Sequence, residues 1–154
     1  IAKAKKADLN IITLPSCNLY LMGRSDKQPI RRGVTRIREF LEAGVNISYA
    51  SDNIRDPFRP IGNGDMLEEG LLTAQVAQMV TKSELETVFR MGTYNPARSL
   101  GLEDYGLGVG KSADLIIFDS ESISDALISQ GTRCYVIKDG RVVAKNTKTT
   151  EILF

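Results

Sequence analysis

Apolar residues along the chain fall first into short runs and then into helical stripes. Ile1–Ala7 reads as the tail of a helix, with neither an initiator methionine nor the apolar stretch of a signal peptide. Asn10 to Leu14 is closed by Pro15, the pattern of a buried strand that stops where proline cannot supply a ladder N–H. A polar loop is expected through Gly23 to Pro29. Val34, Ile37, Phe40 and Leu41 then share one helical face that ends at Gly44, and Val45, Ile47 and Tyr49 predict the next strand. The stretch from Ser51 to Gly64 holds Pro57, Pro60, Gly62 and Gly64 and predicts a long loop of specified shape. Asp65 with Glu68, and Thr81 with Glu84, have capping-box spacing. The helices behind them are expected to bury Leu67, Leu71, Ala74 and Met79, then Leu85, Val88 and Phe89. Asn95 followed by Pro96 is expected to cap a third helix.

Near Leu100 the pattern changes. Gly106, Gly108 and Gly110 lead into Ala113–Phe118, a strong strand signal, and a short helix is expected around Asp125 to Ile128. Cys134–Lys138 and Arg141–Ala144 flank Asp139-Gly140, a hairpin signal. Residues 1–100 therefore read as strand–helix units, and residues 101–154 as a small β-rich appendage.

Length limits this picture. A complete (β/α)8 barrel needs about 250 residues, so 154 residues allow only a partial one. The 20 basic and 19 acidic residues are scattered, which excludes the basic stripe of a nucleic-acid binder and a polybasic membrane patch. No segment approaches a membrane-spanning run. Cys17 and Cys134 stand apart and lack metal-ligand spacing, as expected for reduced thiols in a cytoplasmic protein.

Asp52 is the sharpest chemical candidate. It lies where a buried strand opens into a long loop, and in parallel α/β architectures that end of the strand faces the ligand. The alternative is a loop-capping aspartate that accepts backbone hydrogens. Arg24, Arg31, Arg32 and Arg55 lie in or beside loops, where a guanidinium can hold a carboxylate or a polar ring or simply face solvent. Phe58 either lines a pocket or plugs the loop, and Glu68 and Glu69 suit the first turn of their helix. The chain has no histidine, so it cannot supply a His/Asp acid–base couple or an imidazole-rich metal site. Gly106-x-Gly-x-Gly110 lacks both the spacing of a dinucleotide loop and a preceding strand.

The block from Val45 to Leu67, VNISYASDNIRDPFRPIGNGDML, resembles the last barrel strand and following loop of cytosine deaminase and its relatives in the amidohydrolase superfamily. Asn18–Arg24, Arg31–Thr35, Glu42–Asn46, Asn95–Leu102 and Gly110–Ile116 resemble the same family. On that resemblance the chain is expected to be the C-terminal part of such a protein. It would form the last strand–helix units of a partial (β/α)8 TIM-type barrel plus the C-terminal strands of a small β-sandwich appendage.

The resemblance further implies a hydrolytic deaminase of a cyclic amidine or other nitrogen heterocycle. A divalent zinc or iron ion would be held by histidines on an N-terminal barrel portion outside this chain. Asp52 matches the family's last-strand aspartate, which contacts the metal and accepts the proton of its bound water. Asn53, Phe58 and Arg24 are the expected pocket residues. At Asn53 and Phe58 the family's cytosine-specific members carry a second acid and a tryptophan, so the pocket wall here differs in polarity and bulk and points to another cyclic amidine or a triazine-like ring. Alone, these 154 residues are expected to bind no metal and to be inactive, and a homo-oligomer would cover apolar faces left open. Two other classes fit parts of the pattern: a noncatalytic structural or subunit-contact remnant, and a flavodoxin-like binder, which the terminal hairpin disfavours.

Overall fold

Two short strands, β1 (Asn10–Thr13) and β2 (Asn46–Tyr49), pair in parallel from Asn10↔Asn46 to Thr13↔Tyr49 in a computed structural model of the chain, which describes residues 1–153. They are preceded by helix α1 (Ala2–Lys6) and connected by α2 (Pro15–Leu21) and α3 (Ile37–Glu42). Because the strands are parallel, both carboxyl ends lie on the same side, and the segments leaving them, Ser16–Cys17 and Ser51–Asn53, meet there.

Pro15 does not simply end a strand, as expected; it occupies the first turn of α2. A proline is harmless there because its missing N–H has no helical partner in any case. Val34 falls outside α3, while Gly44 takes the expected left-handed conformation with φ +67°.

Downstream of the loop, α4 (Met66–Val76) packs on α2, β2, α5 (Lys82–Met91) and α7 (Ile123–Ile128). Its cap is the Asp65 carboxylate, which accepts from Leu67 N at 2.8 Å and Glu68 N at 3.3 Å. The reciprocal half of the expected box is absent, because the Glu68 side chain accepts from Asn63 instead. At α5 both halves form between Thr81 and Glu84. Thr93 takes the N-cap position of helix α6 (Tyr94–Ser99) without a side-chain capping bond, and Asn95 lies inside the helix. Its side-chain amide instead donates to Ile47 O on β2 at 2.7 Å, which ties the helix to the parallel sheet. The core joins Ile47, Tyr49, Leu67, Ala74, Met79, Leu85, Val88, Met91 and Leu127.

A second sheet orders β3 (Leu115–Asp119), β4 (Thr132–Lys138) and β5 (Arg141–Lys145) antiparallel as β3-β4-β5. Asp139 and Gly140 both have positive φ, as a two-residue type I′ hairpin requires. The architecture is thus a mixed α/β fold with two small sheets and several helices. Among the described residues the parallel sheet has two strands and no barrel closes.

Candidate active site at the carboxyl ends of the parallel strands

Asp52 directly follows buried Ser51 at the end of β2, with its own side chain exposed to solvent. Its φ is +57°, a left-handed backbone that is uncommon for a residue with a Cβ and gathers at functional positions where the surroundings hold it. The loop-capping role considered for Asp52 belongs to Asp56. Asp56 Oδ1 accepts from Phe58 N and Arg59 N, both at 2.9 Å, and Oδ2 accepts from the Asn53 side-chain amide at 2.5 Å. The backbone bond from Arg59, with the Asn53 and Phe58 bonds behind it, holds the Asp56 carboxyl below its usual range.

Asn53 is half-buried and occupied at both ends of its amide, since its oxygen accepts from the Cys17 thiol at 3.3 Å. Burial pushes the Cys17 thiol up, and the neighbouring Asp52 carboxylate pushes it further. Cys17 is therefore a neutral wall of the site rather than a thiolate.

Beneath the loop lies a buried charge cluster that the sequence pattern did not disclose. Arg59 and Glu69 have side chains only 3% and 1% exposed and form an ion pair at 2.8 Å. Arg59 Nη1 also donates to Ser51 O at 3.1 Å and reaches Ser51 Oγ at 3.3 Å, while Ser16 Oγ donates to the same Glu69 oxygen. Glu69 lies in the first turn of α4 as expected, but its carboxylate is buried. The available signal was its position four residues before Thr73, which lies on the buried stripe of α4. An acid on such a stripe requires a buried partner.

The other expected pocket residues are dispersed. Phe58 is 61% exposed. Arg24 lies over the Tyr20 ring at 5.0 Å, in a loop closed by the Asp26–Arg31 pair, and among the described residues shares no hydrogen bond or ion pair with the 51–65 loop. An apolar cavity of about 380 Å³ sits elsewhere, between the helical layer and the antiparallel sheet, where Tyr49, Phe89, Tyr94, Phe118 and Arg133 contribute to its lining.

The family's sequence profile, that of the Amidohydrolase family, matches residues 2–144. The chain belongs to the amidohydrolase family. It is 45% identical over 109 residues to the N-isopropylammelide isopropyl amidohydrolase of Pseudomonas sp. (strain ADP), covering 70% of this chain and 27% of that protein. It is 36% identical over 143 residues to the pterin deaminase of Rhizobium rhizogenes, covering 92% and 32%. The crystal structure of 5-methylcytosine deaminase from Klebsiella pneumoniae superposes with a TM-score of 0.87 at 34% identity, over 99% of this chain and 39% of that one. The chain thus spans about a third of the length of the curated relatives it matches.

These findings correct one expectation. The chain was expected to be the C-terminal part of a cytosine deaminase-like protein. The profile instead runs continuously from α1 through both sheets, so the likeness is to a cytosine- and pterin-deaminase-like domain spanning nearly the whole chain and is not confined to a C-terminal fragment.

The residues around Asp52 do not by themselves fit a catalytic metal ion. The sequence has no histidine, and among the described residues no group of three or more His, Cys, Asp or Glu is placed to hold a cation. Asp56 is committed to three hydrogen bonds, and a neutral thiol is a poor ligand. No helix among the described residues is long and apolar enough to cross a membrane.

Proposed function

We propose that the protein hydrolyses an exocyclic carbon–nitrogen bond of a nitrogen heterocycle, with Asp52 as the carboxylate that accepts a proton from the attacking water. The observation that carries this assignment is the state of Asp52: it is at a strand's carboxyl end, in a left-handed conformation, exposed, and relieved of loop capping by Asp56. Water adds to the ring carbon as its proton passes to the carboxylate, and the amine leaves with a proton in return. The relatives named for N-isopropylammelide, pterin and 5-methylcytosine support a ring of this class as substrate.

Asp52 is the one carboxylate this loop can offer to a divalent zinc or iron ion. Further ligands would have to come from polypeptide outside these 154 residues, and no step is assigned to the ion. The same proposal takes β1 and β2 as two strands of a (β/α)8 barrel, with residues 1–100 its strand–helix units and residues 101–154 a β-rich appendage. The parallel pairing, and superposition on a much longer deaminase, support that division. Asn53 serves the pocket by fixing the loop. Phe58 and Arg24 would meet substrate only from its outer rim.

The test is release of ammonia or alkylamine by the intact protein from a panel of cytosine, 5-methylcytosine, N-isopropylammelide, pterin and creatinine. Turnover of at least one ring is expected. Inertness toward all five, with the protein folded and supplied with zinc or iron, would overturn the assignment.

A further inference from the structure

Two buried charges, Glu69 and Arg59, join the segments that leave β1 and β2. The Glu69 Oε1 atom gathers Ser16, from the segment leaving β1, and Arg59, from the loop leaving β2, onto helix α4. Arg59 in turn holds the carbonyl and hydroxyl of Ser51, the residue immediately before Asp52. The Ser51 carbonyl belongs to the peptide unit whose rotation sets φ at Asp52, so a donor fixed on that oxygen restrains the left-handed turn directly.

The cluster is costly on its own terms. Two ions lie almost wholly out of water, and Arg59 Nε and Glu69 Oε2 have no partner among the described residues. A hydrophobic pair of similar volume would serve stability as well or better.

We propose that Arg59 and Glu69 are positioning residues, a buried clamp that fixes the Ser51–Asp52 peptide and so aims the Asp52 carboxylate at the reacting water. This rests on the proposed hydrolase function. Neither side chain touches substrate, and both act through the backbone of Ser51. Because Asp52 itself is exposed and, among the described residues, accepts no backbone hydrogen bond, its aim depends on the peptide that carries it. A misplacement of about 1 Å at a reacting group can cost about 100-fold in rate.

The test compares wild type, Glu69→Gln, the double variant Arg59→Met/Glu69→Met and the control Val88→Ala, which removes buried core volume from α5 without touching the hydrogen bonds of the clamp. All are made in the intact protein. Amide hydrogen exchange reads the loop without reference to activity, and kcat and KM are measured on the panel ring that wild type turns over best. In Glu69→Gln, exchange at the hydrogen-bonded loop amides of Phe58, Arg59 and Gly62 should rise by about 100-fold while α5 amides keep their protection. The kcat should fall by about 100-fold with KM within about twofold of wild type. The double variant should recover the melting temperature but not kcat, because Arg59, the donor to Ser51 O, is then gone. Val88→Ala should lower the melting temperature and leave kcat near wild type.

Unchanged exchange at Phe58, Arg59 and Gly62 in both clamp variants would overturn the proposal. So would recovery of kcat together with stability in the double variant, which would make the pair purely structural. If wild type turns over no panel ring, the hydrolase function fails, and the exchange measurement alone decides whether the clamp exists.

Discussion

At the scale of single residues, the separation of Asp52 from Asp56 matters most. Two aspartates four positions apart divide the labour: Asp56 satisfies two backbone amides and Asn53, which leaves Asp52 free of the scaffold. The backbone at Asp52 makes this testable. At φ +57° a glycine is at ease and a β-branched residue is not. In urea unfolding, Asp52→Gly should be neutral or stabilising by up to about 1 kcal/mol, whereas Asp52→Val should lose about 1–2 kcal/mol. Both should lose activity. A second residue-scale prediction concerns Gly92, where an added Cβ would lie 2.2 Å from the buried Tyr49 hydroxyl. Gly92→Ala should cost about 1–3 kcal/mol by overpacking, and Gly92→Ala/Tyr49→Phe should recover part of it. The strand end that precedes Asp52 was legible in the sequence because an apolar run closes there. Arg59 and Glu69 were not, since their pairing spans ten positions and a loop whose path no local pattern specifies.

At the scale of elements, capping signals were read with unequal success, and the reason lies in competition for side chains. The Thr81–Glu84 box forms in full because the other groups that reach Glu84, the Val80 amide and Arg38, leave the Thr81 bonds in place. The Asp65–Glu68 box forms only in half because Asn63 takes Glu68, and Arg133 from β4 joins Asp65 at 2.5 Å. Asn95 left its expected cap because a β2 carbonyl lay within reach. Helix α2 was missed because a proline after a strand can end that strand and begin a helix with equal ease.

The Glu84 cap has a pH signature. The Thr81 backbone amide, then its hydroxyl and Arg38, hold the Glu84 carboxyl down to about 2 from an ordinary 4.5. The folded state binds this proton less readily than the unfolded one. The stabilisation is therefore complete above about pH 5 and is lost as pH falls toward 2. The gap in melting temperature between wild type and Glu84→Gln should be widest near about pH 6 and close by about pH 2. A gap that persists unchanged into acid would show that the charge plays no part.

At the scale of the whole molecule, these residues carry more open apolar surface than a self-sufficient domain of this size is expected to show. Ile12 on β1, Ile116 and Ile117 on β3, and Val142 and Val143 on β5 are all about half exposed or more. The two-stranded parallel sheet leaves unpaired backbone along both flanks. Produced alone, the 154 residues should sediment above monomer mass in a concentration-dependent manner and bind a hydrophobic dye, whereas the same residues within the intact protein should do neither. Monomeric, dye-negative behaviour at all concentrations would show that the surface is tolerated in water. At this scale the α/β class and the terminal hairpin were legible from periodicity and turn chemistry. How the elements meet was not, because contacts such as Ser16 with Glu69 and Asn95 with Ile47 join residues about fifty positions apart.

The central claim is that the Asp52 carboxylate takes part in the chemistry. The most direct measurement is kcat/KM of Asp52→Asn against wild type in the intact protein, on the best panel ring, with melting temperatures taken alongside. Loss of the proton acceptor should lower kcat/KM by about 100- to 10,000-fold at an unchanged melting temperature. A variant that keeps kcat/KM within about threefold of wild type would contradict the account.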